Sequence, residues 1–265
     1  MQEFLSFKRD ISSIGPSTIF EIGGFPITNS TLFMVLVTIL LIVFVVVALR
    51  KKSLIPGKGQ AFFEIVYEAV ERQINTITAS SYHTKRVLPI IGSIFIFVGI
   101  SNYFGLVPGL GSITFDGKSL FRIATSDFNT TLGLAFGAIV VLHLVSIKDF
   151  GLWGHINKFI PIKQLGEDMK KGGLAPIYMF VTILIACLDI VGEFAKAVSV
   201  SLRLFGNMYA GDVLTTVLIG IFAFLLPSFW VAFGMLGALV QTIVFGSLIT
   251  VFYMQAAGPE PGEKK

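Results

Sequence analysis

Five polar side chains recur at helical spacing within an otherwise apolar stretch of the sequence. They are Asp189, Glu193, Lys196, Arg203 and Asn207. Steps of three, four and seven residues keep them on one face of an α-helix. Lipid would leave these charges unsatisfied, so the stripe must face water or a polar partner, where it could bind or move ions. For Asp189, Glu193 and Lys196 the alternative is a salt-bridge ladder that joins neighbouring helices.

Arg203 has no counter-charge among its neighbours on the stripe. Its guanidinium is always charged, and its neighbours there, Lys196 and Asn207, carry no negative charge. We therefore expect its partner on another chain. Asp212 lies nine residues further on, about 180° around the helix, and indicates a second, separate polar compartment. Arg203 is thus predicted to stand between two aqueous regions.

Gln241 is an amide in the middle of the last apolar segment, where it could form a site or join two helices. If residues 227–228 form the turn before this segment, Gln241 lies nearer the turn than Arg203, so we do not expect the two to be level. Asp127 and Asn129 come at the outer end of an earlier apolar segment. Asp127 could cap that helix, or both residues could line an outer water entrance.

The composition is that of a helical membrane protein. Of 265 residues, 54% are hydrophobic and 14% are charged, against about 25% charged in average soluble domains. Apolar runs such as residues 32–49 are long enough to cross about 30 Å of hydrocarbon. They are too long and too uniformly apolar for barrel strands, which leaves a single-domain helix bundle.

Metal, cofactor and nucleic-acid sites have little support. The single Cys187 excludes an internal disulfide, and His83, His143 and His155 are scattered without ligand spacing. We therefore predict no metal and no cofactor. The basic residues cluster at segment ends without interleaved aromatic residues, so they are interpreted as topology signals and not as a nucleic-acid surface.

The pattern predicts five spanning helices and one amphipathic helix. The spans are residues 30–49, 87–107, 128–147, 174–226 and 229–257. Residues 60–80 form the amphipathic helix, which lies at the cytoplasmic interface or docks on a partner subunit. Its apolar face consists of Phe62, Val66, Val70, Ile74 and Ile77.

Residues 174–226 could form two upright helices or one steeply inclined helix. As one helix the segment would be about 80 Å long, far more than the hydrocarbon core. Most of the 20 Lys and Arg residues fall in segments that one inclined helix puts on the cytoplasmic side. The positive-inside rule then places the N-terminus outside and the C-terminus in the cytoplasm. We therefore favour the inclined helix. The N-terminal segment lacks the apolar region of a cleaved signal peptide.

Several motifs resemble subunit a of F-type ATP synthases, the membrane stator that carries ions past a rotating ring of c subunits. The likeness extends from about residue 25 to residue 257. It rests on SVSLRLFGNMYAG at 199–211, DIVGEFAK at 189–196, SNYFGLVP at 101–108, SDFN at 126–129 and the helix that carries Gln241.

The resemblance implies that the last two helices form an inclined hairpin against the c ring. Arg203 would be the family's essential arginine, which pairs with the carboxylate of each c subunit and blocks a direct proton leak. Along the proton path we place Asn207, Asp212, Gln241, Asp189, Glu193, Lys196, Asp127 and Asn129. Of these, Asp189 and Glu193 belong to the cytoplasmic half-channel and Asp212 to the outer one.

The resemblance also implies partners and a location. The partners are the c ring, the b-subunit peripheral stalk and the remainder of the synthase, in a bacterial plasma membrane. The transported ion is H⁺ or Na⁺, and the subunit itself catalyses no covalent step. Two positions depart from the family pattern: Gly234 stands where many members have His or Glu, and Ala197 stands where Pro is common.

Two other classes compete with this interpretation. A secondary transporter could use Arg203 to bind an anionic substrate, but it predicts internal repeats that the sequence does not show. An intramembrane hydrolase needs a nucleophile with a base, and no Gly-x-Ser-x-Gly or His-Glu-x-x-His motif occurs.

Overall fold

The fold is a bundle of six α-helices with two small β-hairpins. The computed structural model describes residues 15–48, 50, 56–107, 110, 113–115, 117–159, 169, 175–221 and 225–257. The helices are α1 (Asn29–Ala48), α2 (Lys58–Thr78), α3 (Ser81–Gly105), α4 (Phe128–Phe159), α5 (Ala175–Ile221) and α6 (Leu225–Ala256). A 3₁₀ turn at Ala124–Ser126 precedes α4.

Five of these helices, all except α2, are long and apolar enough to cross a membrane. The predicted all-α membrane fold is therefore confirmed. Many apolar side chains on the outside of the bundle are exposed, among them Ile42 and Val47 on α1 and Phe180 on α5. Exposed apolar surface on this scale is expected where a helix faces lipid.

The two β-hairpins were not predicted from the sequence. Strands β1 (Thr18–Ile22) and β2 (Phe25–Thr28) pair antiparallel, as do β3 (Thr114–Phe115) and β4 (Lys118–Ser119). Gly23 and Gly24 join the first pair with φ values of 58° and 83°. A two-residue loop with positive φ at both positions matches the twist of the flanking strands.

One face of α2 packs within the chain, against α3 and α6. Val70 and Ile74 are buried, and Gln73 Nε2 donates a hydrogen bond to Ser247 Oγ on α6 at 3.0 Å. The predicted apolar face is therefore correct at Val70 and Ile74. Phe62 is 58% exposed, and its ring centre lies 6.0 Å from that of Phe44 on α1.

α4 is longer than the predicted span of 128–147, since it runs to Phe159 with a bend at Gly151. Gly151 has φ 73° and ψ 166°, a backbone conformation that favours glycine. The bend turns the last part of α4 back towards the part before it. His155 Nδ1 consequently lies 3.0 Å from Ser146 Oγ.

α5 is one continuous helix of 47 residues, as the inclined-helix prediction requires, and not two upright helices. At about 1.5 Å per residue it is roughly 70 Å long, more than twice the hydrocarbon thickness, so it must be steeply inclined. It packs on α4 and on α6, and α6 packs in turn on α3. The buried core between these helices includes Ile91, Leu204, Phe245 and Tyr253.

The predicted break at residues 227–228 is wrong. α6 begins at Leu225, so Pro227 lies in its first turn, where a missing N–H costs no intrahelical hydrogen bond. Residues 222–224, between α5 and α6, and the polar tail after residue 257 lie outside the described residues. Because α5 and α6 contact each other across so short a connection, they run antiparallel.

Candidate functional site

One strip of residues along α5 packs into the bundle, and this packing determines which of the other residues of α5 face outward. The buried members of this strip are Ala197, Val200, Ser201, Leu204 and Met208. Ser201 Oγ donates to Thr131 Oγ1 on α4 at 3.2 Å, and both side chains are buried. Arg203 lies outside this strip and is exposed. The packing against α4 therefore turns the guanidinium away from the core.

Arg203 makes no hydrogen bond or ion pair with any residue that the structure describes. Its neighbour Leu202 is 50% exposed, and Asn207, one turn further along the same face, is also exposed. The guanidinium thus lies on the open face of α5, within a largely apolar helix. A permanent charge in such a setting requires a polar partner.

The register of the hairpin places Arg203 level with Gln241. A Cβ on Gly237 would lie 3.9 Å from Nδ2 of Asn207, so these positions face each other across α5 and α6. Four residues further along each antiparallel helix, one turn from this contact, come Arg203 and Gln241. The expectation that the two would not be level is wrong, because the chain turns before Pro227.

Gln241 belongs to a buried polar cluster. It is 7% exposed, and its Nε2 has no hydrogen-bond partner among the described residues. Beside it, Thr242 Oγ1 accepts from Asn102 Nδ2 at 3.4 Å, and Asn102 Oδ1 accepts from Thr125 Oγ1 at 2.6 Å. Ser101 Oγ is also buried without a partner in the described structure. Buried polar groups are nearly always hydrogen-bonded, so this cluster is suited to bind further polar groups.

Sequence reasoning did not assign a site role to Asn102 or Thr125. The available signal was Asn102 itself, an amide inside an apolar span. Thr125 could not have been found, because it precedes α4 in a 3₁₀ turn whose position next to α3 depends on tertiary packing.

Asp127 caps α4. Its Oδ1 accepts from the backbone N–H of Asn129 at 3.0 Å, and its Oδ2 accepts from Ser30 Oγ on α1 at 2.6 Å. Thr130 Oγ1 also donates to Oδ2, at 3.3 Å. Asp127 is only 4% exposed. The structure thus shows the capping alternative for Asp127, while Asn129 is exposed at the same end of α4.

Arg122 connects several elements at the end of the bundle where α4 begins. Its Nη1 donates to Gly15 O at 2.8 Å, its Nε donates to Ser126 Oγ at 3.3 Å, and its guanidinium lies 5.9 Å from the ring centre of Tyr209 on α5. Asp212, close to Tyr209 in the chain, is half-buried.

Gly234 is accommodated by the end of α3. A Cβ on Gly234 would lie 3.4 Å from Leu106 Cδ2, which is close to an ordinary van der Waals contact. Position 234 thus faces the residue that follows α3. Ala197, the second departure, is buried.

At the opposite end of the stripe, Glu193 and Lys196 form an ion pair of 2.7 Å. Lys196 Nζ also lies 5.3 Å from the ring centre of Phe252 on α6. Asp189 is exposed and makes no ion pair with the described residues. The three-residue ladder is thus reduced to one pair, and Asp189 stays accessible.

Beside Glu193 lies a small cavity of about 20 Å³. Its polar lining comes from His143, Ser146, His155, Glu193 and Gln255. Although the histidines are scattered in the sequence, the rings of His143 and His155 are 5.3 Å apart. Within the described residues, no group of three or more His, Cys, Asp or Glu side chains could hold a metal ion.

Comparison with known proteins assigns the family. A family model described as ATP synthase A chain matches residues 31–255. ATP synthase subunit a of Desulforamulus reducens is 30% identical over 250 residues, covering 91% of this chain and 84% of that protein. ATP synthase subunit a of Geotalea uraniireducens is 29% identical over 255 residues, covering 96% and 95%. For Moorella thermoacetica the values are 28% over 244 residues, 92% and 97%.

The matched region includes all five spanning helices and the Arg203 motif, and the resemblance drawn from the sequence is confirmed. The chain belongs to the ATP synthase A chain family, the family of ATP synthase subunit a.

Proposed function

We propose that this chain is the ion-translocating stator of the synthase membrane sector and that Arg203 separates two offset half-channels beside the c ring. The observation that carries the proposal is the position of Arg203. It is a cation without a partner among the described residues, on the open face of α5, level with the buried Gln241. A c-ring carboxylate that reached this face would meet the guanidinium directly.

The inner half-channel runs along Asp189, Glu193 and Lys196. Asp189 is exposed, and the Glu193–Lys196 pair is about one-quarter exposed on each side chain. These residues lie on the N-terminal side of Arg203, towards the end of the bundle where α6 finishes. An ion released beside Arg203 would leave by this route to the cytoplasm.

The outer half-channel contains Asp212, Asn207 and Gln241. Asn207 is exposed, and Gln241 Nε2 is available for a hydrogen bond. Asn129 lies at the entrance, whereas Asp127 supports it by capping α4. Gly234 has no titratable side chain, and water contributes to the proton path on this side.

The mechanism follows from the cost of charge in hydrocarbon. A c-ring carboxylate is neutral while it faces lipid, because a bare charge there costs at least a few kcal/mol. Next to Arg203 the ionised form is favoured, since an opposite charge stabilises it. The proton leaves through the inner half-channel, and a new one enters from the outer side as the ring advances.

Arg203 also prevents a direct leak, because its fixed positive charge repels a proton that would pass between the half-channels. The driving force is about 2.3 kcal/mol per charge per 100 mV of membrane potential. No covalent bond is made or broken in this subunit. The b-subunit stalk would hold it against rotation in a bacterial plasma membrane, with the N-terminus outside and the C-terminus in the cytoplasm. The transported ion is H⁺, or Na⁺ where the c-ring site selects it.

Arg203→Ala in the assembled synthase tests the proposal. We expect proton-driven ATP synthesis in membrane vesicles to be abolished while the complex still assembles. Arg122→Ala is a suitable comparison, because it removes an arginine from the outer end of the bundle and not from the open face. Normal coupled synthesis by the Arg203→Ala complex would overturn the proposed function.

A further inference from the structure

Two histidines that are twelve residues apart in the sequence meet at the inner end of the bundle. The bend at Gly151 brings the ring of His155 to 5.3 Å from that of His143, edge to face at 72°. His155 Nδ1 is also 3.0 Å from Ser146 Oγ, which is buried. The bend at Gly151 thus brings the two imidazoles and the Ser146 hydroxyl close together.

This histidine pair adjoins the stripe on α5. The cavity of about 20 Å³ is lined by both rings and by Glu193, and a space of that size holds about one water molecule. A wider, open cleft of about 260 Å³ is lined by His143, His155, Ile190 and Glu193. The two imidazoles and Glu193 therefore line both the small cavity and the open cleft.

The charged groups around the histidine pair are few. On α5 they are Glu193 and its ion-pair partner Lys196. On α4 the nearby Asp149 is paired with Arg86 of α3. α6 contributes Gln255, which is uncharged, and the ring of Phe252. Glu193 and Asp149 thus each have a basic partner, and Asp189, one turn before Glu193 on α5, is exposed. The two imidazoles add groups that can both accept and donate a proton.

Imidazole is suited to that task. It is the side chain that ordinarily changes its charge between pH 5 and 8. One ring nitrogen can accept a proton while the other donates one. A positioned group of this kind accelerates proton transfer by about 10² to 10⁴.

We propose that His143 and His155 form a proton-exchange pair at the cytoplasmic mouth of the inner half-channel. The pair takes a proton from the water beside Glu193 and releases it to water in the open cleft. In the reverse direction it collects protons from cytoplasmic buffer. Each transfer makes one N–H bond and breaks one O–H bond, or the reverse, so no other reactant is needed. This inference rests on the proposed function, because it assigns the inner end of the stripe to ion release.

ATP-driven proton pumping by the whole synthase in inverted vesicles tests the pair, because the cytoplasmic face is then in contact with the medium. The variants are His143→Gln, His155→Gln and the double variant, each normalised to the amount of assembled complex. We expect the double variant to pump about tenfold more slowly at pH 7 to 8 in weakly buffered medium. This is less than the full effect of a positioned proton-transfer group, because water substitutes in part. Added imidazole should restore the rate, since a soluble buffer can then deliver the protons.

His83→Gln is the matched control. It removes the remaining histidine of the chain, whose Nδ1 lies 3.2 Å from Tyr253 Oη away from the cavity. Its pumping rate should not depend on the buffer concentration.

If the double variant pumped at the unaltered rate at every pH and buffer concentration, the proposed proton-exchange role of the histidine pair would be wrong. A loss that added imidazole does not restore would also overturn it, because a packing defect is not repaired by soluble buffer. Arg203→Ala, measured in parallel, separates the two proposals. If Arg203→Ala is inactive and the histidine variant is normal, only the pair fails, whereas a normal Arg203→Ala complex refutes the proposed function itself.

Discussion

Asn207 on α5 lies beside Gly237 on α6, with 3.9 Å between its Nδ2 and the place of a Cβ on residue 237. This contact sets the register of the hairpin, and one helical turn from it Arg203 comes level with Gln241. The charge on the open face of α5 is thus placed beside the buried amide of α6. The two side chains share one level of the bundle although 38 positions separate them in the sequence.

Cysteine pairs can check this register. In a Cys187→Ser background, we expect Asn207→Cys with Gly237→Cys, and Arg203→Cys with Gln241→Cys, to form disulfides on mild oxidation of membranes. Disulfides require Cβ atoms about 3.5 to 4.5 Å apart. Linked peptides identified by mass spectrometry provide the measurement.

The control pair is Arg203→Cys with Gly234→Cys. Residue 234 is seven positions, or roughly 10 Å along the helix, from residue 241, so this pair should remain reduced. If residue 203 instead linked preferentially to residue 234, the inferred register of the hairpin would be wrong and Arg203 would not be level with Gln241.

Much of the fold could be predicted because its signals are local. The apolar runs predicted the five spans, and the distribution of Lys and Arg favoured one continuous helix over residues 174–226, which the structure shows as α5. The turn before α6 was placed too late because proline is typical of both a break and a first helical turn. Only the position of Leu225 at the start of α6 distinguishes the two cases.

The candidate site could be predicted only along a single helix. The Glu193–Lys196 ion pair follows from a spacing of three residues. The meeting of His143 with His155 depends on the positive φ of Gly151, which the apolar pattern around it does not indicate. The contacts of Asn102 with Thr125 and Thr242 join three separate elements, so they depend on packing that no local pattern encodes.

Arg203→Lys tests whether a positive charge alone is sufficient. Lysine keeps the charge but loses the planar donor fork that pairs bidentately with a carboxylate. We expect proton-driven ATP synthesis to fall roughly tenfold or more, which corresponds to at least about 1.4 kcal/mol. Initial rates of synthesis in energised vesicles, per assembled complex, provide the measurement.

Lys196→Arg is the matched control for that exchange. Arginine can maintain both the ion pair with Glu193 and the contact with the Phe252 ring, so synthesis should remain close to the unaltered rate. Retained synthesis by Arg203→Lys would show that the fork is dispensable and that a point charge separates the half-channels.

Substitutions of Asp127 can distinguish a role in capping α4 from a role in proton entry. Asp127→Ala removes the acceptor for the Asn129 N–H and for Ser30 Oγ, and the lost helix cap should cost about 0.5 to 2 kcal/mol. Asp127→Asn keeps a good capping oxygen but cannot carry a proton. We expect the thermal stability of the detergent-solubilised complex to fall for Ala and to be nearly unchanged for Asn, with normal ATP synthesis for Asn.

The two roles of Asp127 give opposite results for the asparagine variant. If Asp127→Asn assembled normally but lost proton-driven synthesis, its carboxylate would be part of the outer entrance and not only a cap. Ser30→Ala, which removes one donor to Oδ2, should destabilise the complex without affecting the rate per assembled complex.

Gly246 on α6 is where α3 approaches most closely, because a Cβ at this position would overlap the ring of Phe95. Phe95 is 8% exposed and lies in the core, so it has little room to move. We expect Gly246→Ala to destabilise the bundle by about 1 to 3 kcal/mol, the usual cost of overpacking. The midpoint of thermal aggregation of the solubilised complex should fall accordingly.

Gly92→Ala is the matched control, since a Cβ there would make an ordinary contact of 3.6 Å with Leu88. That variant should be as stable as the unaltered chain. Adding Phe95→Leu to Gly246→Ala should recover part of the lost stability, because the smaller side chain leaves space for the new methyl group. If the Gly246→Ala complex had an unchanged midpoint, the Phe95 ring would not lie against residue 246. The positions of Thr242 and Gln241 along α3 would then differ from those described above.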